Sequence, residues 1–140
     1  MSDDSNIPGR ECNKTEIPEE NREHILLVDD VLLVQAEKQM LEELGYYVTT
    51  CTSSASALAL FHDLSERIDC VVSSLSMPRF NGLALANTCK LCRPGTPFIL
   101  ISDDAIALPG NSLRALGIRG YVLRPLSLRI LEEALHNPDV

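Results

Sequence analysis

The sequence lacks any apolar run long enough to cross a membrane, which takes about 20 consecutive residues. It also lacks the clusters of lysine and arginine that bind nucleic acid or an anionic membrane, since 20 acidic residues outweigh 12 basic ones and the net charge is −8. The start, Met1-Ser2-Asp3-Asp4, has none of the basic and apolar character of a signal peptide. We therefore expect a cytoplasmic chain that contacts other proteins, with no nucleic acid and no membrane among its partners.

The five cysteines lack the even number and the spacing of a disulfide framework, and reduced thiols in a cytoplasm are expected. Cys89 and Cys92 form a single C-x-x-C, but a zinc site would need a second pair of ligands that the sequence does not offer. At helical spacing, Leu85, Cys89 and Cys92 share one apolar face. We expect these two thiols to pack in the core.

The length of 140 residues fits one domain with a core of its own. Residues 1–22 are polar and acidic and show no apolar periodicity, so they are predicted to form a flexible tail. The folded domain is predicted to span residues 23–140.

Short apolar segments alternate with helical patterns along the predicted domain. Leu33, Ala36, Met40 and Leu44 recur at steps of three and four and predict the buried face of the first helix. A fourth helix should be short, about 110–116, because Pro109-Gly110 delays its start and Gly117 ends it. The predicted strands are 25–28, 48–51, 70–74, 97–101 and 121–123, and the other helices are about 54–64, 81–91 and 127–136. Such alternation predicts an α/β fold with a doubly wound parallel sheet of five strands.

Polar residues follow four of the predicted strands. In a doubly wound sheet, ligands bind at the carboxyl ends of the strands, so these residues should meet at one edge. They are Asp29 and Asp30, Ser73 and Ser74, Ser102, and Arg124 with Pro125.

From His24 to His136, the sequence resembles the receiver domain of bacterial two-component response regulators. The resemblance rests on five ordered motifs: Ile25-Leu-Leu-Val-Asp-Asp30, Asp69-Cys-Val-Val-Ser-Ser-Leu-Ser-Met-Pro78 with Asn81-Gly82, Ser102, Tyr121, and Arg124-Pro125. It implies a flavodoxin-like (βα)5 fold with the strand order 2-1-3-4-5. It also implies a signalling domain of a phosphorelay, which is not an enzyme.

The resemblance also implies roles for single residues. Asp29 and Asp30 would be the acidic pair, which with the backbone carbonyl of Ser76 would bind Mg²⁺. Ser102 and Tyr121 would be the two switch positions, a hydroxyl and an aromatic ring. Arg124 would take the place of a lysine, and Pro125 would follow a cis peptide bond.

Two residues depart from the family pattern. Ser74 stands where the phosphoacceptor aspartate belongs, and a serine hydroxyl without a general base is a poor nucleophile. The loss of that carboxylate also weakens the metal site, so Mg²⁺ is expected to bind weakly or not at all, with no other cofactor. Arg124 replaces a compact ammonium by a guanidinium fork that could lie permanently across Asp29 and Asp30.

Three functions are therefore considered. The leading one is a pseudo-receiver that works by protein contact, either with a pathway partner such as a kinase, regulator or effector, or with a second copy, through residues 104–136. In that surface, charged residues would surround Leu108, Leu113 and Tyr121. The second is a receiver that accepts phosphate on Ser74 or Asp103, and the third is a sensor of a small molecule. For the third, the sequence offers neither a glycine-rich phosphate loop nor an aromatic cage.

Overall fold

A computed structural model describes residues 22–64, 67–77, 81–106 and 108–136. Nearly all of the predicted tail, residues 1–22, lies outside these residues, as does Pro78 of the Met77-Pro78 motif. Within the described ranges, no helix is long and apolar enough to span a membrane.

Within the residues that the structure describes, five strands alternate with five helices, as the sequence predicts. In chain order they are β1 (His24–Val28), α1 (Val34–Glu43), β2 (Tyr47–Cys51), α2 (Ser54–Leu64), β3 (Cys70–Ser74), α3 (Gly82–Cys92), β4 (Phe98–Ser102), α4 (Gly110–Ala115), β5 (Ile118–Leu123) and α5 (Leu128–His136). The strands pair in parallel in the order β2-β1-β3-β4-β5. The predicted fold class and strand order are therefore confirmed.

The core lies on both faces of the sheet. Because successive side chains of a strand point to opposite faces, a central strand covered by helices on both sides must be apolar throughout. In β1, Leu26 and Val28 pack with residues of α2, α3 and α4, whereas Ile25 and Leu27 pack with residues of α1 and α5. The helices α1 and α5 thus share one side of the sheet.

Local signals in the sequence set the helix ends. The Asn81 side chain accepts a hydrogen bond from the Ala84 amide at 3.0 Å at the start of α3, and the Ser127 hydroxyl accepts one from the Ile130 amide at 3.1 Å at the start of α5. The short α4 ends before Gly117, whose φ of +84° is a conformation that favours glycine.

The predicted buried face of α1 is wrong by about one residue. The buried residues are Val34, Glu37 and Leu41, while Leu33 and Ala36 are exposed. Met40 and Leu44 only flank the core. The more apolar stripe was expected to face inward, but the true inward stripe contains a glutamate whose polar partner comes from a distant part of the chain.

Two other packing predictions need correction. Cys89 is buried in the core as expected, but Cys92 is exposed, because α3 turns it toward solvent in its last turn. Leu113 was expected on the surface of α4, yet it is 1% exposed and belongs to the core. The α4 helix has only six residues, and Leu113 is its one buried residue.

Candidate functional site

The carboxyl ends of β1, β3, β4 and β5 lie at one edge of the sheet, as parallel pairing requires. Val28 is paired with Ser73, so Asp29, which follows β1, and Ser74, the last residue of β3, lie side by side. The Arg124 amide donates to the Ser102 carbonyl at 3.0 Å, one step beyond the last pair of β4 and β5. The structure thus brings the four predicted positions to one edge.

The guanidinium of Arg124 contacts three carboxylates. Its Nη2 lies 2.5 Å from Asp29 Oδ2 and 3.4 Å from Glu37 Oε2, and its Nη1 lies 3.2 Å from Asp103 Oδ1. The side chains of Asp29 and Glu37 are buried, whereas that of Asp103 is 70% exposed. We call Arg124, Asp29, Glu37 and Asp103 the Arg124 cluster.

Electrostatics within the Arg124 cluster favour a proton on Glu37. Burial of this side chain, together with a hydrogen bond to Asp29 and the charge of Asp29, raises the pKa of Glu37 from 4.5 to about 8, although Arg124 acts to lower it. Its Oε1 is buried and meets no hydrogen-bond donor among the described residues.

The opposite charges keep Arg124 ionised. Burial by itself lowers the pKa of Arg124, but the neighbouring carboxyl groups of Asp29 and Glu37 and the hydrogen bonds to Asp103 and Asp29 raise it above its ordinary value. A permanent cation therefore stands beside Asp29.

The acidic pair is divided between two environments. Asp29 accepts from Arg124 and, through Oδ1, from the Asp30 amide at 2.7 Å. Asp30 is exposed, and its Oδ1 accepts from the Leu32 amide at 2.7 Å. The expectation that Arg124 lies across both aspartates therefore holds for Asp29 only, and Glu37 and Asp103 take the remaining contacts.

Ser74, at the expected acceptor position, is 3% exposed. Its hydroxyl donates to the Ser76 carbonyl at 3.4 Å, and the neighbouring Ser73 hydroxyl donates to the Ser74 carbonyl at 3.0 Å. The Ser74 hydroxyl therefore faces a carbonyl oxygen, which cannot act as a general base toward it. Nothing in this contact activates Ser74 as a nucleophile.

The backbone beside Ser74 is packed closely. The Gly82 amide donates to the Leu75 carbonyl at 2.8 Å, and a Cβ at Gly82 would lie 2.6 Å from the Ser74 carbonyl oxygen. Only glycine permits this approach, which explains why Asn81-Gly82 stands at this offset from the strand.

The two expected switch residues occupy different settings. The Ser102 hydroxyl donates to the Asp104 carbonyl at 2.6 Å and accepts from the Asp104 amide at 3.2 Å, so it is held within its own loop. Tyr121 is partly buried and packs against the core on the side of α4. The Arg124–Pro125 peptide bond is cis, the conformation expected from the sequence.

The expected magnesium ligands do not fit a tightly held metal ion. The Asp29 carboxylate is paired with Arg124, and the Ser76 carbonyl accepts the Ser74 hydroxyl. Across the part of the chain that the structure describes, no group of three or more His, Cys, Asp or Glu side chains is arranged to hold a metal ion. Magnesium is bound in near-octahedral geometry by one or two carboxylates together with waters. Because Asp29 is paired with Arg124, Asp30 is the member of the acidic pair that remains for such a contact.

Glu37 is a residue of the site that was not predicted from the sequence. Glu37 lies three residues after Val34 and four before Leu41, so a search for a glutamate on an inward-facing stripe could have found it. The stripe was not recognised because Leu33, Ala36, Met40 and Leu44 form a more apolar one.

Comparison with known proteins agrees with this fold. Residues 25–136 match the family described as the response regulator receiver domain. The chain therefore belongs to this family. Receiver domains are signalling modules of two-component pathways, in which they interact with other proteins.

The chain is similar to a curated bacterial response regulator. The chain is 33% identical over 115 residues to the response regulator SaeR of Staphylococcus aureus, covering 81% of this chain and 49% of that protein. It thus spans about half the length of the curated relatives that it matches.

Solved structures are also similar. A receiver domain protein from Clostridium thermocellum has a TM-score of 0.76 at 25% identity, covering 83% of this chain and 93% of that one. The receiver domain of an HD domain-containing protein from Pseudomonas fluorescens has a TM-score of 0.68 at 27% identity, covering 90% and 91%.

Proposed function

We propose that this receiver domain acts by protein contact and is not phosphorylated in the usual way. The single observation that carries the proposal is the charge at the site. Ser74 stands in place of the acceptor carboxylate, and the Arg124 guanidinium is paired with the buried carboxylate of Asp29. Aspartyl phosphorylation needs an anionic acceptor and a metal ion beside it, and this arrangement supports neither.

The alternative acceptors gain no support from the geometry. Ser74 would form a stable ester instead of a labile acyl phosphate, and its hydroxyl faces a carbonyl. Asp103 extends outward, where its carboxylate contacts Arg124. Phosphorylation of Asp103 would require this side chain to leave Arg124 and turn inward.

The contact surface that we propose lies over residues 104–136, excluding the undescribed residue 107. Leu108, Leu123 and Leu128 are exposed there. The same segment carries exposed charged residues: Arg114, Arg119, Arg129, Glu132 and Glu133. Apolar side chains inside a polar rim are typical of protein interfaces. The partner would be another protein of a two-component pathway or a second copy of this chain.

Intact-mass spectrometry after incubation with acetyl phosphate, with and without Mg²⁺, tests the proposal. We expect no increase in mass under either condition. The variant Ser74→Asp/Arg124→Lys would regain a carboxylate acceptor and a compact ammonium, so it should gain one phosphoryl group in the presence of Mg²⁺. A phosphoryl adduct on the unaltered protein, on Ser74, Asp103 or elsewhere in the domain, would contradict the proposal.

A further inference from the structure

The Arg124 cluster connects parts of the chain that are far apart in sequence. Glu37 lies on α1, and Arg124 lies 87 residues later, in the turn between β5 and α5. The two helices share one side of the sheet, where Val34 and Leu41 of α1 and Leu131 of α5 belong to the same core cluster. The contact between Glu37 and Arg124 thus adds a polar connection to an apolar one.

Packing on the inward face of α1 does not by itself require a glutamate at position 37. The helix turns Val34, Glu37 and Leu41 inward, and an apolar residue in the middle of this stripe would pack without a partner. A carboxyl group there costs free energy unless another group pairs with it. Arg124 is the cation that contacts it, with Nη2 3.4 Å from Glu37 Oε2.

Glu37 also restricts where the guanidinium can lie. The planar fork of Arg124 is held on one side by Asp29 and Glu37, which share Nη2, and on the other by Asp103. Asp103 is exposed to solvent, so its contact is the weaker one. Without Glu37, Asp29 would be the only buried carboxylate left to hold Arg124.

We propose that Glu37 is a positioning residue of this site, which holds Arg124 beside Asp29 and so couples α1 to the turn between β5 and α5. The inference rests on the proposed function, because it requires that no metal ion or phosphoryl group competes for Asp29. A partner that displaces α1 then alters α5, and a partner on α5 alters α1. The coupling provides communication within the domain without phosphate.

Hydrogen exchange measured by mass spectrometry on the full chain tests this coupling. Glu37→Leu fills the same inward position with an apolar side chain, so α1 should keep its protection. Exchange over residues 124–131 should nevertheless rise roughly tenfold, because Arg124 loses a buried partner. Glu37→Gln keeps an oxygen that accepts from Arg124, and its exchange in that segment should be intermediate.

The reciprocal variant is Arg124→Met, which removes the cation but keeps an apolar stem, and it should speed exchange in α1 because Glu37 loses its partner. If the two positions act through each other, the combined variant Glu37→Leu/Arg124→Met should exchange no faster over residues 124–131 than the faster single variant. The matched control is Glu42→Leu, because Glu42 lies on the same helix but is paired with Lys38, four residues earlier. It should leave residues 124–131 unchanged.

Faster exchange confined to α1 in Glu37→Leu, or equal effects of Glu37→Leu and Glu42→Leu on residues 124–131, would overturn the inference. Should Glu37→Leu fail to fold, the same comparison is made with Glu37→Gln against Glu42→Gln. The acetyl phosphate experiment remains separate. Absence of coupling in a protein that takes up no phosphate would refute the role of Glu37 alone, whereas phosphorylation of the unaltered chain would refute the proposed function.

Discussion

At the scale of single residues, the proposed function rests on where the charges sit. Ser74 stands on β3 where the resemblance places an acceptor carboxylate, and Glu37 brings a carboxyl group to the same edge from α1. The cation there is Arg124, a covalent part of the chain. A built-in cation does not dissociate, so under the proposed function the site would not depend on the concentration of a metal ion.

The raised pKa of Glu37 predicts how stability depends on pH. Because the folded state holds the proton up to a pKa of about 8 and an ordinary carboxyl releases it near 4.5, the folded chain binds more protons between these values. This contribution to stability is present below pH 4.5 and is lost as the pH rises toward 8. Melting temperatures followed by circular dichroism should therefore fall more steeply from pH 5 to 8.5 in the unaltered protein than in Glu37→Gln.

The control for this prediction is Glu42→Gln, which removes a glutamate from the exposed side of the same helix. Its pH dependence should match that of the unaltered protein. Parallel curves for the unaltered protein and Glu37→Gln would show that the Glu37 proton does not contribute.

A second prediction concerns the close approach at Gly82. Gly82→Ala would place a Cβ 2.6 Å from the Ser74 carbonyl oxygen and 2.8 Å from Leu100 Cδ2, so either the backbone or α3 must move. We expect a loss of about 1–3 kcal/mol in the free energy of unfolding, measured with urea. Gly95→Ala is the control, since a Cβ there meets nothing within 4 Å. Equal effects of the two substitutions would show that the packing around Ser74 is looser than described.

At the scale of elements, strands were predicted better than helix faces. The strands β1, β3 and β4 are buried on both faces of the sheet, so their side chains could not be assigned to the wrong face. In α1, by contrast, two stripes compete, and the choice depends on a contact with Arg124 that local periodicity cannot show. The short α4 was predicted because Pro109 and Gly117 act locally on the backbone.

The short α4 is held in place by a side chain from α3. Lys90 Nζ donates to the Ala115 carbonyl at 2.6 Å, at the end of α4, where a cation stabilises the helix carbonyls. Lys90→Met keeps the apolar stem but removes the donor, so hydrogen exchange over residues 110–117 should rise. Lys38→Met, which breaks only the local pair with Glu42, should leave that segment unchanged. Unaltered exchange in Lys90→Met would mean that packing alone holds α4.

At the scale of the whole molecule, the sequence was sufficient for the fold and for the edge of the sheet that carries the site. The alternation of elements predicts the doubly wound sheet, and the order of the strands follows from the family to which the chain belongs. What could not be predicted is how the polar groups pair across that edge. Asp29, Glu37 and Arg124 come from two ends of the domain, and their pairing depends on side-chain positions that only the folded chain defines.

The central claim is that an internal cation occupies this edge, so that the domain responds neither to metal nor to phosphate. Titration with beryllofluoride and Mg²⁺, followed through the backbone amide signals by NMR, tests it most directly, since this reagent mimics an aspartyl phosphate at equilibrium. The signals of Ser74, Ser102 and Tyr121 should stay unshifted in the unaltered protein and should shift in Ser74→Asp/Arg124→Lys. Saturable shifts of these signals in the unaltered protein would contradict the claim.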